Sequence, residues 1–421
     1  MKTIGLVCLF IAILGLSVMQ AMAQGPGCSS GKRDEGVYYT DCYPWVSGDG
    51  TLGSFHNDTN RLQAAIDAAE GGKLIFNEQK YYINNSLVLH SFSVLEGLSP
   101  TWSDGNSGTD DTLNLRITFV GDGNSTTSKV MFSIGENIHD VAIRDLGLYW
   151  DLDADGGIER PSYAIAIKAE GDPNHSNSTL FQFENLRIRN FTQGIYIHSL
   201  SPGGWQFDNN QLKDSSFEEC GTAIHLDALN TGWNMNNVGF ASLADQNGLY
   251  VEKAGYVNIN LMVGNGFYNE QHVPSAGEFI RIAEHGFMNI NNANGEAYKK
   301  ALIIDTPNGI KATPVVLENS DFQECHWDDG GVTKSSVVFN NATVISTGNQ
   351  YACLNKVARP SVEGMAEVSS TGDKFCFEGD SSCFSSASPF AETSRSGWAI
   401  KGWAAGVRTD AVTSHTVRIL T

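Results

Sequence analysis

The chain has 421 residues, of which 27 are Lys or Arg and 47 are Asp or Glu, giving a formal net charge of −20. So acidic a chain excludes general attraction to nucleic acid, which needs basic patches to displace counterions from phosphate. Charged residues are only 18% of the chain and Gly is abundant, at 44 residues, a composition that suits a folded or repeating chain rather than a charged disordered one.

In chain order, Lys2 precedes an apolar run from Ile4 to about Val18, followed by Ala21-Met22-Ala23. A basic start, an apolar centre and an A-x-A-like cleavage site make an export signal, and the run is short for a spanning helix. Residues 1–23 are expected to be removed, leaving a secreted chain, extracellular or periplasmic, with no membrane insertion after cleavage. Cys8 leaves with the signal. Of the seven cysteines that remain, Cys28 with Cys42 and Cys376 with Cys383 are close enough in sequence to staple the two ends, and an exported chain can keep disulfides. The odd count leaves at least one thiol, and Cys220 sits in a core-like context.

Asn57-Asp58-Thr59 opens a helix, with Asp58 or Thr59 as N-cap, because a side-chain oxygen there accepts from free amide hydrogens. Leu62, Ala65, Ile66 and Ala69 share one face, Gly71-Gly72 ends the helix, and Lys73–Phe76 begins a strand. Further on, Asp151, Asp153, Asp155 and Gly156 match the start of a D-x-D-x-D-G calcium loop. The twelfth position is Ser162 rather than Glu, so the loop is not an EF-hand. Three carboxylates at alternate positions still predict weak Ca2+ binding.

Between about Leu180 and Phe339 a loose repeat appears. Phe191, Phe217, Phe240 and Phe267 fall 26, 23 and 27 residues apart, and Gly194, Gly221 and Gly248 fall 27 apart. Phe322 follows two repeats later, with Ala293 in the intervening place. Apolar and polar residues alternate, and Gly or Asn clusters punctuate them, which is a strand pattern. One period suits one coil of three short strands, so each Phe is expected to stack on the last. Asn185, Asn210, Asn236, Asn260, Asn291 and Asn319 are expected to form an amide ladder, each donating to one neighbour and accepting from the next.

The block Asn57 to Gly97, NDTNRLQAAIDAAEGGKLIFNEQKYYINNSLVLHSFSVLEG, resembles the pectate-lyase superfamily, in the branch with an N-terminal DxxAxQxAIDAA–GG signature. The coils from Phe119 to about Phe339 resemble it more diffusely. The resemblance implies an all-β fold, a right-handed parallel β-helix over residues 24–383 with an N-terminal capping helix, leaving 384–421 as a C-terminal extension or cap. It also implies cleavage or binding of polysaccharide. The chain has no N-T-D, G-D-D, G-H-G or R-I-K, so no catalytic residue carries over by motif.

Polysaccharide hydrolysis needs two carboxyl groups about one bond, and equivalent positions on adjacent coils lie roughly 4.8 Å apart. An acidic column before the strand after each turn supplies such positions, running through Glu218-Glu219, Asp245, Glu270 or Glu278, Glu296, Glu324 and Asp328-Asp329. Glu219, Asp245 and Asp328 are the candidate catalytic residues. Trp205, Trp233, Tyr268 and Trp327 are candidate sugar-stacking rings, and His225 and His326 candidate proton carriers. Hydrolysis is the leading reaction. A non-catalytic carbohydrate-binding or surface β-helix and a calcium-dependent lyase are the alternatives. Arg187, Arg189, Lys213, Arg281, Lys299 and Lys300 are the cations a lyase has available.

Overall fold

A computed structural model describes residues 32–34, 36–44, 51–52, 55–78, 80–97, 116–120, 129–151, 164–171, 180–199, 207–241, 247–265, 267–268, 273–296, 298–307, 313–323, 337–353, 361–377, 384–385, 399–401 and 418–420. The described strands pair, overwhelmingly in parallel, with the strand one coil earlier and one coil later, and the fold is a right-handed parallel β-helix. Three walls result. The first holds Gln193–Ser199 and the opening parts of three long strands, Thr222–Ala241, Asn247–Asn265 and Val273–Glu296. Each long strand then rounds two corners to supply the second and third walls of its coil.

Alternation decides which side chains fill the interior. On the first wall Ile195, Ile224, Leu249, Ile280 and Leu302 stand in register on successive coils, all buried. On the second, Leu212, Met235, Ile259, Ile290 and Leu317 do the same. Like residues stacked on like fill the core without voids. Corners between the second and third walls need a left-handed residue. Asn185, Asp214, Asn237, Asn292 and Asn319 take it at φ between 48° and 58°.

The third wall carries the aromatic stack, with Phe191 and Phe267 outside it and Gly295, not Ala293, in the place before Phe322. Ile188, Phe217, Phe240, Gly264, Gly295, Phe322 and Tyr351 share the inward row. Phe217 and Phe240 lie 5.8 Å apart, and Phe322 and Tyr351 lie 5.7 Å apart. Phe267 is outside this row, in a short antiparallel pair with residues 273–274. Gly264 holds its expected place, and Phe279 reaches in from the first wall to fill the gap, since a Cβ at Gly264 or Gly295 would strike its ring. Gly194 and Gly248 serve similarly, for a Cβ there would meet the rings of Phe217 and Phe240 at 2.7 and 2.8 Å. Phe191 is buried one corner away, against Trp150 at 6.0 Å.

The expected amide ladder runs up the outer face of the second wall. Asn260 donates to Asn236, Asn291 to Asn260 and Asn319 to Asn291, at 3.2–3.4 Å. A second file runs beside it, Asn258 donating to Asn234 and Asn289 to Asn258. Asn185 and Asn210 stand apart from it. Asn185 donates to Asp145, and buried Asn210 accepts from the Phe181 amide.

Helix α1 (Thr59–Ala68) closes the first coil with Leu62, Ala65 and Ile66 buried. Asp58 is the N-cap residue, but its carboxylate accepts from the Tyr82 amide and pairs with Arg61, while Asn57 Oδ1 accepts from the Thr59 amide. Gln63 both accepts from the Val88 amide and donates to the Val88 carbonyl. A helix side chain thus satisfies the edge strand Leu87–Leu89, which would otherwise offer open pairing groups. Cys220 is a free, buried thiol, and Cys42 is buried at the N-terminal end. Cys28, Cys383 and the side chain of Cys376 lie outside the described residues.

Candidate functional site

Among the described residues the acidic column is interrupted. Glu219 occupies a left-handed turn (φ 53°) and accepts from Arg189 at 2.9 Å, while Glu218 pairs with Arg187 at 2.8 Å. Along the axis Glu218 is followed by Ala241 and Asn265 before Glu296, and Glu278 belongs to the first wall. Trp233 is 0% exposed and packs 6.1 Å from Phe183, so it is a core ring and not a sugar platform. Asp245, Asp328, Trp205, Trp327, His326, Asp153 and Asp155 lie outside the described residues, as do the side chains of Tyr268 and Asp151. Asp151 ends the strand Gly147–Asp151. The cations named for elimination are each held by a carboxylate where described. Lys213 pairs with Glu184, and Arg281 and Lys300 both pair with Glu278.

Among the described residues, the candidate His225 stands in a chemically dense surface, the outer face of the first wall. Strands reading Ile-Tyr-Ile-His, Ile-His-Leu-Asp and Leu-Tyr-Val-Glu bury their aliphatic members and turn Tyr196 and His198, His225 and Asp227, and Tyr250 and Glu252 outward. Register places Tyr196, His225 and Tyr250 in one axial row. The rings stack, with centroids 4.8 and 4.7 Å apart and planes within 27°.

A second row holds His198 and Asp227. His198 Nδ1 lies 2.8 Å from Asp227 Oδ2 and 3.0 Å from the Tyr196 hydroxyl, and Lys253 Nζ lies 3.0 Å from Asp227 Oδ1. A register shift between Leu226 and Asp227 makes this possible. In an unbroken strand Glu252 and Lys253 would face opposite sides of the sheet. The extra residue of a bulge turns both outward, so Glu252 meets His225 Nε2 at 3.1 Å while Lys253 meets Asp227.

The environment tunes these groups. Burial pushes the Tyr196 hydroxyl up to about 12, helped by the charges of Asp227 and Glu252, so it remains a hydrogen-bond donor near neutrality. Burial holds the His225 imidazole below its usual range, against the opposing pull of Glu252. The bond to Asp227 raises Lys253. Asp227 is 7% exposed and Glu252 is half open. Two carboxylates on neighbouring coils, each in contact with an imidazole and flanked by stacked rings, can carry acid–base chemistry on a bond laid across the row. Among the described residues no group of three or more His, Cys, Asp or Glu could hold a metal ion.

The chain matches no family model. No curated protein matches it either. Among solved structures it is similar to the A-module of mannuronan C-5 epimerase AlgE6 from Azotobacter vinelandii, at 15% identity and a TM-score of 0.51, covering 90% of this chain and 98% of that one. It also overlays on the catalytic domain of a GH87 alpha-1,3-glucanase in complex with nigerose (12% identity, TM-score 0.41, 92% and 68% covered). An endo-xylogalacturonan hydrolase from Aspergillus tubingensis is a third (14% identity, TM-score 0.39, 91% and 99% covered). At these identities the likeness is one of fold, the parallel β-helix.

Proposed function

We propose that the protein is an exported, polysaccharide-active β-helix, that its working surface is the outer face of the first wall, and that its reaction is glycoside hydrolysis. The observation that carries this is the pair Asp227 and Glu252. The two lie on adjacent coils and one face, Glu252 next to Lys253, the register partner of Asp227; coils are roughly 4.8 Å apart, a spacing from which two side chains can span the roughly 5–9.5 Å that glycosidases use. Stacked Tyr196, His225 and Tyr250 offer flat rings beside them, and rings bind the C–H faces of sugars. The mannuronan named for the epimerase module is a polysaccharide, which is consistent with that ligand class. Elimination is the weaker reading, because Tyr196 is shifted away from acting as a base near neutrality and the described cations are neutralised by carboxylates. Calcium at Asp151, Asp153 and Asp155 belongs to the same proposal as a structural ion.

The test is a screen on pectin, rhamnogalacturonan, alginate and β-glucans with wild type, Asp227→Asn and Glu252→Gln. New reducing ends without unsaturated uronate absorbance, lost in both variants, support hydrolysis at this pair. Unsaturated product would replace hydrolysis by elimination, and binding without turnover would replace it by a non-catalytic role.

A further inference from the structure

The second wall of the same coils carries a surface of different chemistry. Asn-x-Asn occurs at 234–236, 258–260 and 289–291, in register on three successive coils. Beside the last two stand Tyr256 and Phe287, also in register, stacked at 5.8 Å with planes 10° apart. Both rings are open to solvent, at 39% and 43% exposure. Large rings are ordinarily buried. A coplanar exposed pair, set on a rigid sheet, marks a surface that something covers.

We propose that this strip binds uncharged glycan chains. Charge argues for that occupant. The nine outward positions of these three strands hold Gly, Asn, Tyr and Phe and no Asp, Glu, Lys, Arg or His. The charged residues Lys213 and Glu318 border the strip on the coils before and after. On a chain of net charge −20 a polyanion gains nothing here, whereas a neutral chain meets no repulsion.

Hydrogen-bond valence points the same way. An amide has two N–H donors and an oxygen with two lone pairs. The ladder uses one donor and one lone pair each on Asn258 and Asn260. That leaves one donor and one lone pair per residue for a ligand whose groups both donate and accept, which is what sugar hydroxyls do. The ladder also fixes the amides before binding, so less side-chain ordering is needed when a ligand arrives. Rings and amides recur along the axis at about the strand spacing, roughly 4.8 Å, which lets successive sugars of one chain meet successive coils.

The experiment is affinity electrophoresis in native gels containing xyloglucan, galactomannan or laminarin, with polygalacturonate as the charged control. Wild type should be retarded by at least one uncharged polysaccharide. The double variant Tyr256→Ala/Phe287→Ala should weaken the apparent affinity at least tenfold, and Asp227→Asn should leave it in place. If the double variant loses its circular-dichroism spectrum, Phe287→Ser alone carries the test. Four results overturn the proposal: no retardation by the uncharged polymers, retardation by polygalacturonate only, equal retardation of the ring variants, or loss through Asp227→Asn instead. Self-association that the ring variants abolish would assign the face to a second copy of the chain and overturn it as well.

Discussion

The first and second walls are made by the same three coils, yet their outer faces share almost no chemistry. The first gathers His, Asp, Glu, Lys and Tyr into a bonded cluster, while the second repeats Asn in two neutral files. The interiors are alike, apolar on both walls. A β-helix separates the two jobs by alternation. Inward positions must stack and are constrained to apolar residues, whereas outward positions are free to differ between walls. Repetition outside marks a surface made of identical units. Departure from repetition, including a bulge, marks a surface built for one task.

The comparison breaks most sharply if the first wall is inert. Asp227→Asn and Glu252→Gln preserve volume and should each lower turnover about 10²–10⁴-fold, the usual worth of general acid or base help, with an unchanged melting temperature. Glu219→Gln should keep activity, because Arg189 already occupies that carboxylate. Full activity in the first two would move the active site off this wall.

A change in the shared interior should damage both walls together. Phe240→Ala opens a cavity between Phe217 and Phe279, and truncating a buried Phe costs about 3–5 kcal/mol. Chemical denaturation should show that loss. A smaller one would mean that Phe279 collapses into the gap.

Calcium should act on neither wall directly. If Asp151, Asp153 and Asp155 bind it, calcium at a hundredfold excess over Kd stabilises the fold by about 2.7 kcal/mol. The melting temperature should rise in millimolar calcium, and the Asp→Asn triple variant should not respond. Identical curves with calcium and with chelator would remove the ion from the account.

The smallest effect concerns pH. Burial holds His225 below its usual range, so as pH falls below about 6.5, the ordinary histidine value, the unfolded chain takes up a proton that the folded chain resists. Stability should therefore fall toward acid. His225→Gln should flatten that slope while leaving the second wall's polysaccharide retardation intact. An unaltered slope would mean that protonation is carried elsewhere.

Some of this was legible in the residues alone. Leu62, Ala65 and Ile66 announced the capping helix, and Asn236, Asn260, Asn291 and Asn319 announced their ladder, whereas the even Gly spacing did not hold, since Ala223 and not Gly221 stands between Gly194 and Gly248. The helix and ladder signals are local or strictly periodic, so short-range chemistry fixes them. The Phe267 assignment failed because the stack continues through Phe279 from a different wall, a substitution in space that spacing does not encode. The pairing of Glu219 with Arg189 comes from its turn and not from its spacing.

The sequence by itself determined a solenoid of parallel strands, which residues line its interior, and the helix that closes its first coil, because alternation and stacking leave one way to bury those side chains. Only the tertiary structure decided which outward residues meet. Coil lengths vary, so axial neighbours can lie 21 positions apart, as Lys73 and Val94 do, or 48, as Val94 and Ala142 do. A single extra residue, Glu252 opposite the step from Leu226 to Asp227, turns Glu252 and Lys253 to one side, and no local rule of propensity foretells where it falls.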